Sequence, residues 1–377
     1  MKILLVGNSL RDGQVSMLAF ARVLQKELTA RGIEVRLVHP PAILGKFAKR
    51  DFTSKWLGYL DKFALYPARL RREAAWANIV HVCDHSNAMY VRRALGSAIL
   101  VTCHDVIAIQ AALGMIPGWK VSKTGYLFQW LIRRGLGRAD QICCSSERTR
   151  EDLLTLGIAP SERVSTLWNG LNDDFSPVEP DVAAAALAPL GVTPGTPYLL
   201  HVGTDLARKN RFTVLRAFAA LAADARAQQQ WPGLQLVFVG PPLNNEMQAF
   251  ATSAGLQNRI LVLKDLDSHQ LRSIYSAALA FLFPSTSEGF GWPLIEAQAC
   301  GCPVITSDLS PMNQIGGDAA LYVQPFDHDA IARCLLDNVD RWPEFSRKSI
   351  TNAARFSTSD MVNKYIAAYE ALLKQSK

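Results

Sequence analysis

Residues 280–306 read AFLFPSTSEGFGWPLIEAQACGCPVIT, and this stretch decides the fold class. Ala280–Phe283 is an apolar run of strand length. A polar loop with two glycines follows, and Pro293 suits the first turn of a helix. Gly301 stands where that helix must stop, and Cys302–Thr306 is again an apolar, β-branched run. Strand, loop, helix and strand in so few residues specify a parallel sheet with helices on its faces. Gly289 and Gly291 let backbone amides approach a ligand at the helix start, where phosphate is favoured. Glu288 on the loop and Glu296 about one turn into the helix are carboxylates that can accept hydrogen bonds from a sugar diol.

The same alternation extends toward the N-terminus. Lys2–Val6 is a strand ending at Gly7, Val15–Leu28 has helical spacing, and Glu34–Val38 is the next strand. Further strands are predicted at Ile79–Val82, Ala98–Thr102, Gln141–Cys144 and Val164–Leu167. Between residues 176 and 197, Pro- and Gly-rich stretches flank an Ala-rich one, and the whole reads as a linker. A second series opens with Tyr198–Val202, which ends in Gly203. It continues with a helix N-capped by Asn210 and strands at Leu234–Val239 and Arg259–Leu263. A helix from about Ser359 to Lys374 closes the chain. The expected architecture is α/β, with two Rossmann-like domains, 1–176 and 177–356, facing a central cleft. The C-terminal helix, 357–377, is expected to pack back toward the first domain. In such sheets ligands bind beyond the carboxyl ends of the strands, and chemistry is sought there.

Composition bounds the function. The chain has 377 residues, 49% hydrophobic and 19% charged, which excludes a disordered or fibrous protein. Seven cysteines contain no C-x-x-C, and Cys300 and Cys302 flank Gly301 at a spacing unsuited to zinc. They read as reduced thiols of a cytoplasmic protein. No apolar run reaches membrane-spanning length, and Met1–Gly7 is too short for a signal-peptide core. Charge is uneven: residues 1–176 carry 24 Lys/Arg and 15 Asp/Glu, the remainder 16 and 18. The basic half is expected to meet something anionic. Lys46 to Trp76 and Trp119 to Arg138 combine cations with aromatics, which suits an anionic bilayer surface. No nucleic-acid recognition motif is present. The expected location is therefore the cytoplasm, peripheral to the inner face of the cell membrane.

Segment 285–305 resembles the donor-binding motif of the retaining GT-B glycosyltransferases of family 4. The resemblance covers nearly the whole chain. It includes Thr102-Cys103-His104-Asp105, Cys144-Ser145-Ser146-Glu147, Trp168-Asn169-Gly170, and His201-Val202-Gly203-Thr204 with Arg208-Lys209-Asn210. It implies transfer of a hexose from a nucleotide diphosphate sugar, with a lean toward a GDP-mannose-type donor, to a hydroxyl acceptor. A lipid-linked saccharide in surface polysaccharide assembly is the acceptor class it favours. No cofactor beyond the donor and no metal are implied. By resemblance Glu288 lies against the donor sugar, Glu296 holds the ribose and Lys209 faces the departing diphosphate. His104 lies near the reacting carbon, so His104, Lys209 and Glu288 form the implied catalytic set. Gly289, Phe290 and Gly291 complete the donor loop. Thr204 stands where many members carry an arginine, leaving Arg208 to supply the second charge.

In the first strand–helix loop the chain offers only Gly7 and Gly13, fewer glycines than the family usually has. The loop also fails G-x-G-x-x-G, which counts against a dehydrogenase. Gly13 is the candidate for a phosphate or acceptor loop, and His85 for acceptor contact. Asp265-Leu266-Asp267 and Asp327-His328-Asp329 spell D-x-D, a metal motif in glycosyltransferases of another fold. The first reads here as a loop and helix cap. A nucleotide-sugar 2-epimerase of the same architecture and an inactive sugar-nucleotide-binding protein remain open alternatives.

Overall fold

The apolar runs fold as two all-parallel sheets. A computed structural model describes residues 1–10, 13–40, 66–91, 97–116 and 118–375. The chain divides into one unit of Met1–Asn172 with Thr358–Lys377 and a second of Asp173–Ser357.

In the first unit the strands are β1 (Lys2–Val6), β2 (Glu34–Val38), β3 (Ile79–Val82), β4 (Ala98–Cys103), β5 (Gln141–Cys144) and β6 (Val164–Thr166). Their order is β2-β1-β3-β4-β5-β6. Strand order reverses between β1 and β3, where Ile3 is level with Ile79. The inner strands are Val/Ile/Leu-rich and buried on both faces because helices cover both sides. Leu4, Val80, Val101 and Ile142 form the core with Leu136 and Leu153. The C-terminal helix, Thr358–Gln375, belongs to this unit and is fixed by a buried polar chain. His81 Nδ1 meets the Tyr369 hydroxyl at 2.7 Å, His81 Nε2 meets Thr102 Oγ1 at 2.7 Å, and Thr102 meets the Tyr365 hydroxyl at 2.8 Å. Burial holds His81 neutral, with its pKa lowered to about 3, so the ring joins this chain without bringing a charge into the core.

The second unit holds β7 (Tyr198–Val202), β8 (Gln235–Val239), β9 (Ile260–Leu263), β10 (Ala280–Phe283), β11 (Val304–Ser307) and β12 (Ala320–Val323). The order is β12-β11-β10-β7-β8-β9, so the reversal lies between β7 and β10. Leu199, Phe238, Leu282 and Ile305 pack with Phe218 and Leu335 in its core.

Two features depart from the sequence reading. The Ala-rich stretch of the 176–197 linker is a helix, Pro180–Leu187, with proline in its first turn. It packs on the helix Ser268–Ser276, because Ala183 and Leu187 recur on one face. β12 was not anticipated; it is an edge strand whose two middle residues, Leu321 and Tyr322, are half-buried.

Close approach fixes one glycine beside the second reversal. A Cβ on Gly240, whose φ is +145°, would stand 2.2 Å from the Gly203 carbonyl oxygen. Gly240→Ala is therefore expected to destabilise the protein by about 1–3 kcal/mol. Urea unfolding checks this, and unchanged stability would contradict it.

Candidate active site

Two loops leave the second sheet side by side where the strand order reverses. One follows β7: Gly203, an exposed Thr204, then a single 3-10 turn, Ala207–Lys209. The other follows β10 and runs from Pro284 to Gly291 before the helix Trp292–Ala299. Register places Leu200 level with Phe281, so the two loops emerge at one height. They are laced together: the Thr286 amide donates to the Arg208 carbonyl at 2.8 Å.

Asn210 is the clasp. Its Nδ2 donates to the Pro284 carbonyl at 3.0 Å and also to the Pro325 carbonyl. Its Oδ1 accepts from Thr213 Oγ1 at 2.8 Å. Asn210 does occupy the N-cap of the helix Arg211–Ala223, but its side chain caps no helix amide, which corrects the cap expectation. Its φ of +52° turns the chain, a conformation asparagine tolerates better than most residues.

This scaffold brings three charges together. Glu288, 8% exposed, accepts from Arg208 Nη1 at 2.6 Å and from Lys209 Nζ at 2.7 Å. Arg208 Nη1 also donates to the Ser287 carbonyl at 3.1 Å. Lys209 Nζ lies 5.0 Å from the centre of the Phe283 ring, whose face adds attraction. Burial alone would raise the Glu288 pKa, but Lys209 and Arg208 outweigh it and hold the carboxyl below its usual range. One carboxylate against two cations leaves net positive charge in a largely buried corner. His201, buried beside them, donates from Nδ1 to the Leu282 carbonyl at 2.9 Å. Burial first, then Lys209 and Arg211, push its pKa down to about 3, so it adds no charge.

Glu296 is the opposite case. It sits half-buried in the helix behind the loop and accepts from the Tyr275 hydroxyl at 3.0 Å. Burial dominates there and lifts its pKa to about 7, although the Tyr275 bond and Lys209 pull the other way. Gly291, at φ +108°, takes the N-cap position that lets the chain turn into this helix. Phe290 is buried edge-on against Trp292 and Phe356 and anchors the loop.

The remaining candidates belong to the first unit. His104 follows β4 and is 5% exposed. Its Nε2 donates to the Cys83 carbonyl at 3.0 Å, its ring packs edge-on to Phe20, and burial lowers its pKa. At the β1/β3 reversal Asn8 Nδ2 donates to Asp84 Oδ2 at 2.5 Å and also to Gln14. His85 Nδ1 stands 3.2 Å from Asp84 Oδ1. Burial would lower the His85 pKa, but the Asp84 carboxylate outweighs it and raises it. Gly13 adopts φ +66° just before the helix Val15–Ala30. Residues 11 and 12 of that loop, and most of the Lys46–Trp76 stretch (residues 46–65), lie outside the described residues.

Sequence reading missed Tyr275, Asp84 and Asn8, whose roles depend on neighbours from other elements. Asp267 caps the helix Ser268–Ser276 through the Gln270 amide in a reciprocal capping box, and Asp327 caps the helix His328–Asp337 through the Ala330 amide. Among the described residues no group of three or more His, Cys, Asp or Glu is placed to hold a metal ion.

Residues 186–356 match the family model described as "Glycosyl transferases group 1", and residues 19–175 match "Glycosyltransferase Family 4". The O-antigen chain mannosyltransferase B of Escherichia coli is 26% identical over 306 residues, 80% of this chain and 78% of that protein. The serotype-specific mannosyltransferase WbdA of Escherichia coli is 26% identical over 246 residues, 64% of this chain but only 30% of that longer protein. Sucrose-phosphate synthase from Thermosynechococcus elongatus superposes with a TM-score of 0.75 at 19% identity over 100% of both chains. Anabaena HepE in complex with UDP and glucose gives 0.72 at 16% identity, covering 98% of this chain and 100% of that one. These two likenesses show a shared fold.

The Glu296 carboxyl yields a stability prediction. Its pKa rises from 4.5 in the free side chain to about 7 on folding, so above pH 4.5 the unfolded chain ionises while the folded one resists. Glu296 thus lowers stability progressively as pH rises through that window, and fully above pH 7. Glu296→Gln is expected to be more stable than the parent at pH 8, by on the order of 1–3 kcal/mol, with the difference gone below about pH 4. Thermal melts across pH decide it, and a less stable variant at pH 8 would contradict it.

Proposed function

Because the chain belongs to the group 1, family 4 glycosyltransferases and has the GT-B fold, we propose that it transfers a hexose with retention of anomeric configuration. The donor is a nucleotide diphosphate sugar and the acceptor the hydroxyl of a lipid-linked saccharide. The observation that carries this reading is the Glu288 carboxylate gripped by Arg208 and Lys209 at the β7/β10 reversal. When a glycosyl diphosphate bond breaks, negative charge grows on the leaving oxygen. Fixed cations already at that point stabilise the change without reorganising. Lys209 and Arg208 take that role together with the amides of Gly289 to Trp292, and no metal is required. Glu288 contacts the sugar, and Glu296 in its ionised form accepts from the ribose hydroxyls. Thr204 lies exposed at the mouth of the same loop.

Domain 177–356 holds the donor and domain 1–176 the acceptor, with His104 near the reacting carbon and His85 and Gly13 on the acceptor side. The bond from the anomeric carbon to the diphosphate breaks as the acceptor oxygen attacks from the same face. The acceptor proton passes to the departing diphosphate oxygen. A carboxylate held by two cations is a poor nucleophile, which favours this route over a covalent glycosyl-enzyme. The mannosyltransferase relatives favour GDP-mannose as donor and surface polysaccharide as product. No helix among the described residues is long and apolar enough to cross a membrane, and a peripheral place on the cytoplasmic face fits such an acceptor.

The test is transfer of labelled sugar from a panel of nucleotide diphosphate sugars to membrane-extracted acceptors. Lys209→Ala is expected to lower kcat by about 10²–10³-fold, and Glu288→Gln by at least a comparable factor, with both proteins folded by circular dichroism. Full activity in either variant would overturn the site. NMR of the donor alone separates this reading from a 2-epimerase, which would convert the sugar without any acceptor.

A further inference from the structure

The segment Arg208–Arg211, which leaves β7, ties the exits of three other strands to its own. Arg208 and Lys209 reach Glu288 after β10, while Asn210 reaches Pro284 in the same loop and Pro325 after β12. Arg211 turns the other way, to the far side of β7, where β8 ends. Its Nη2 donates to the Pro241 carbonyl at 2.8 Å and its Nη1 to the Pro242 carbonyl at 3.4 Å. Its guanidinium lies 4.9 Å from the centre of the Phe238 ring of β8. The Gly240 amide, at the start of the loop it holds, donates to the Leu263 carbonyl at 2.8 Å. Two successive prolines stiffen that loop. Arg211 is costly where it stands. It is 3% exposed, and arginine is seldom buried without a close carboxylate. It opens the helix Arg211–Ala223, where the macrodipole disfavours a cation. Asp205 Oδ1 is 3.5 Å away, on a side chain that is itself 45% exposed. What the guanidinium contributes is a fork that spans two carbonyls.

We propose that Arg211 is a positioning residue for the donor: by holding Pro241 and Pro242 it fixes the loop after β8 as a wall against which the nucleoside half of the donor lies. Ligands of such sheets bind beyond the carboxyl ends of the strands at the reversal, and β8 flanks β7 there. The Arg211 guanidinium is spent on the proline carbonyls, which leaves Lys209 and Arg208 to face the diphosphate. A wall already in place spares the donor the cost of ordering a loop. It holds the bound donor and the transition state alike, so its effect falls on donor KM rather than on kcat. The proposal rests on the glycosyltransferase reading, which puts the donor at the β7/β10 reversal, and deepens it.

Calorimetric titration of the full chain with guanosine and uridine mono- and diphosphates tests it. Arg211→Gln is expected to weaken the monophosphate and the diphosphate of the preferred base by one common factor, about tenfold. Lys209→Ala is expected to weaken the diphosphate far more than the monophosphate. Arg211→Lys keeps the charge but lacks the fork, so it regains only part of the loss and binds about threefold more weakly than the parent. In the transfer assay Arg211→Gln is expected to raise donor KM by about the same tenfold and to change kcat by less than about threefold. A substitution that merely loosened the fold would lower kcat and the thermal midpoint instead. If Arg211→Gln does not fold, Arg211→Lys decides alone. Parent-like affinity in the folded variants, a loss confined to the diphosphates, or a lower kcat with unchanged KM would overturn the proposal. A parent that binds none of these nucleotides would overturn the glycosyltransferase reading and the proposal with it.

Discussion

The ion cluster of Glu288 with Lys209 and Arg208 is the constraint around which the second unit is arranged. Removing charges from water costs several kcal/mol each, and a buried pair seldom recovers more than it loses. Here the imbalance of two cations to one carboxylate leaves the corner short of negative charge. An arrangement of that kind is poor as a stabilising device and well suited to receiving an anion. The surrounding structure serves it: β7 beside β10 sets the loops at one height, Asn210 ties both to Pro325, and Gly203 and Gly240 allow close backbone contact.

Two glutamates eight positions apart in one loop–helix segment are driven in opposite directions. Glu288 is kept ionised by cations that outweigh its burial, and Glu296 is pushed to about 7 by burial that its partners do not offset. The first can hold its charge through a reaction cycle. The second stands near half-ionised at neutral pH, so a ligand that prefers its carboxylate form releases a proton on binding. The first unit repeats the theme at its own reversal, where the Asp84 carboxylate raises the His85 pKa while burial lowers that of His104.

Much of this was legible in the sequence because strands and turns are local. β1, β3, β5, β7 and β10 are largely apolar and β2 alternates charged with apolar residues, and their limits agree with the reading. Elements without such signals were not legible. β12 is an edge strand with half-buried middle residues, and Pro180–Leu187 is a helix whose alanines resemble a linker until the partner helix is known. The resemblance gathered Lys209, Arg208 and Glu288 as donor-side residues. Their contact is a long-range fact, made across 79 or 80 residues of sequence. Tyr275 reaches Glu296 from another helix, and Asn210 holds carbonyls 74 and 115 residues away. No local pattern encodes partners at that distance.

A crystal structure of the intact chain grown with a nucleoside diphosphate is the most direct test of the charge-deficient corner. The account predicts the diphosphate oxygens within hydrogen-bonding reach of Lys209 Nζ or the Arg208 guanidinium, with the ribose toward Glu296. A nucleotide bound away from β7 and β10, with the three charges closed on one another as before, would contradict it.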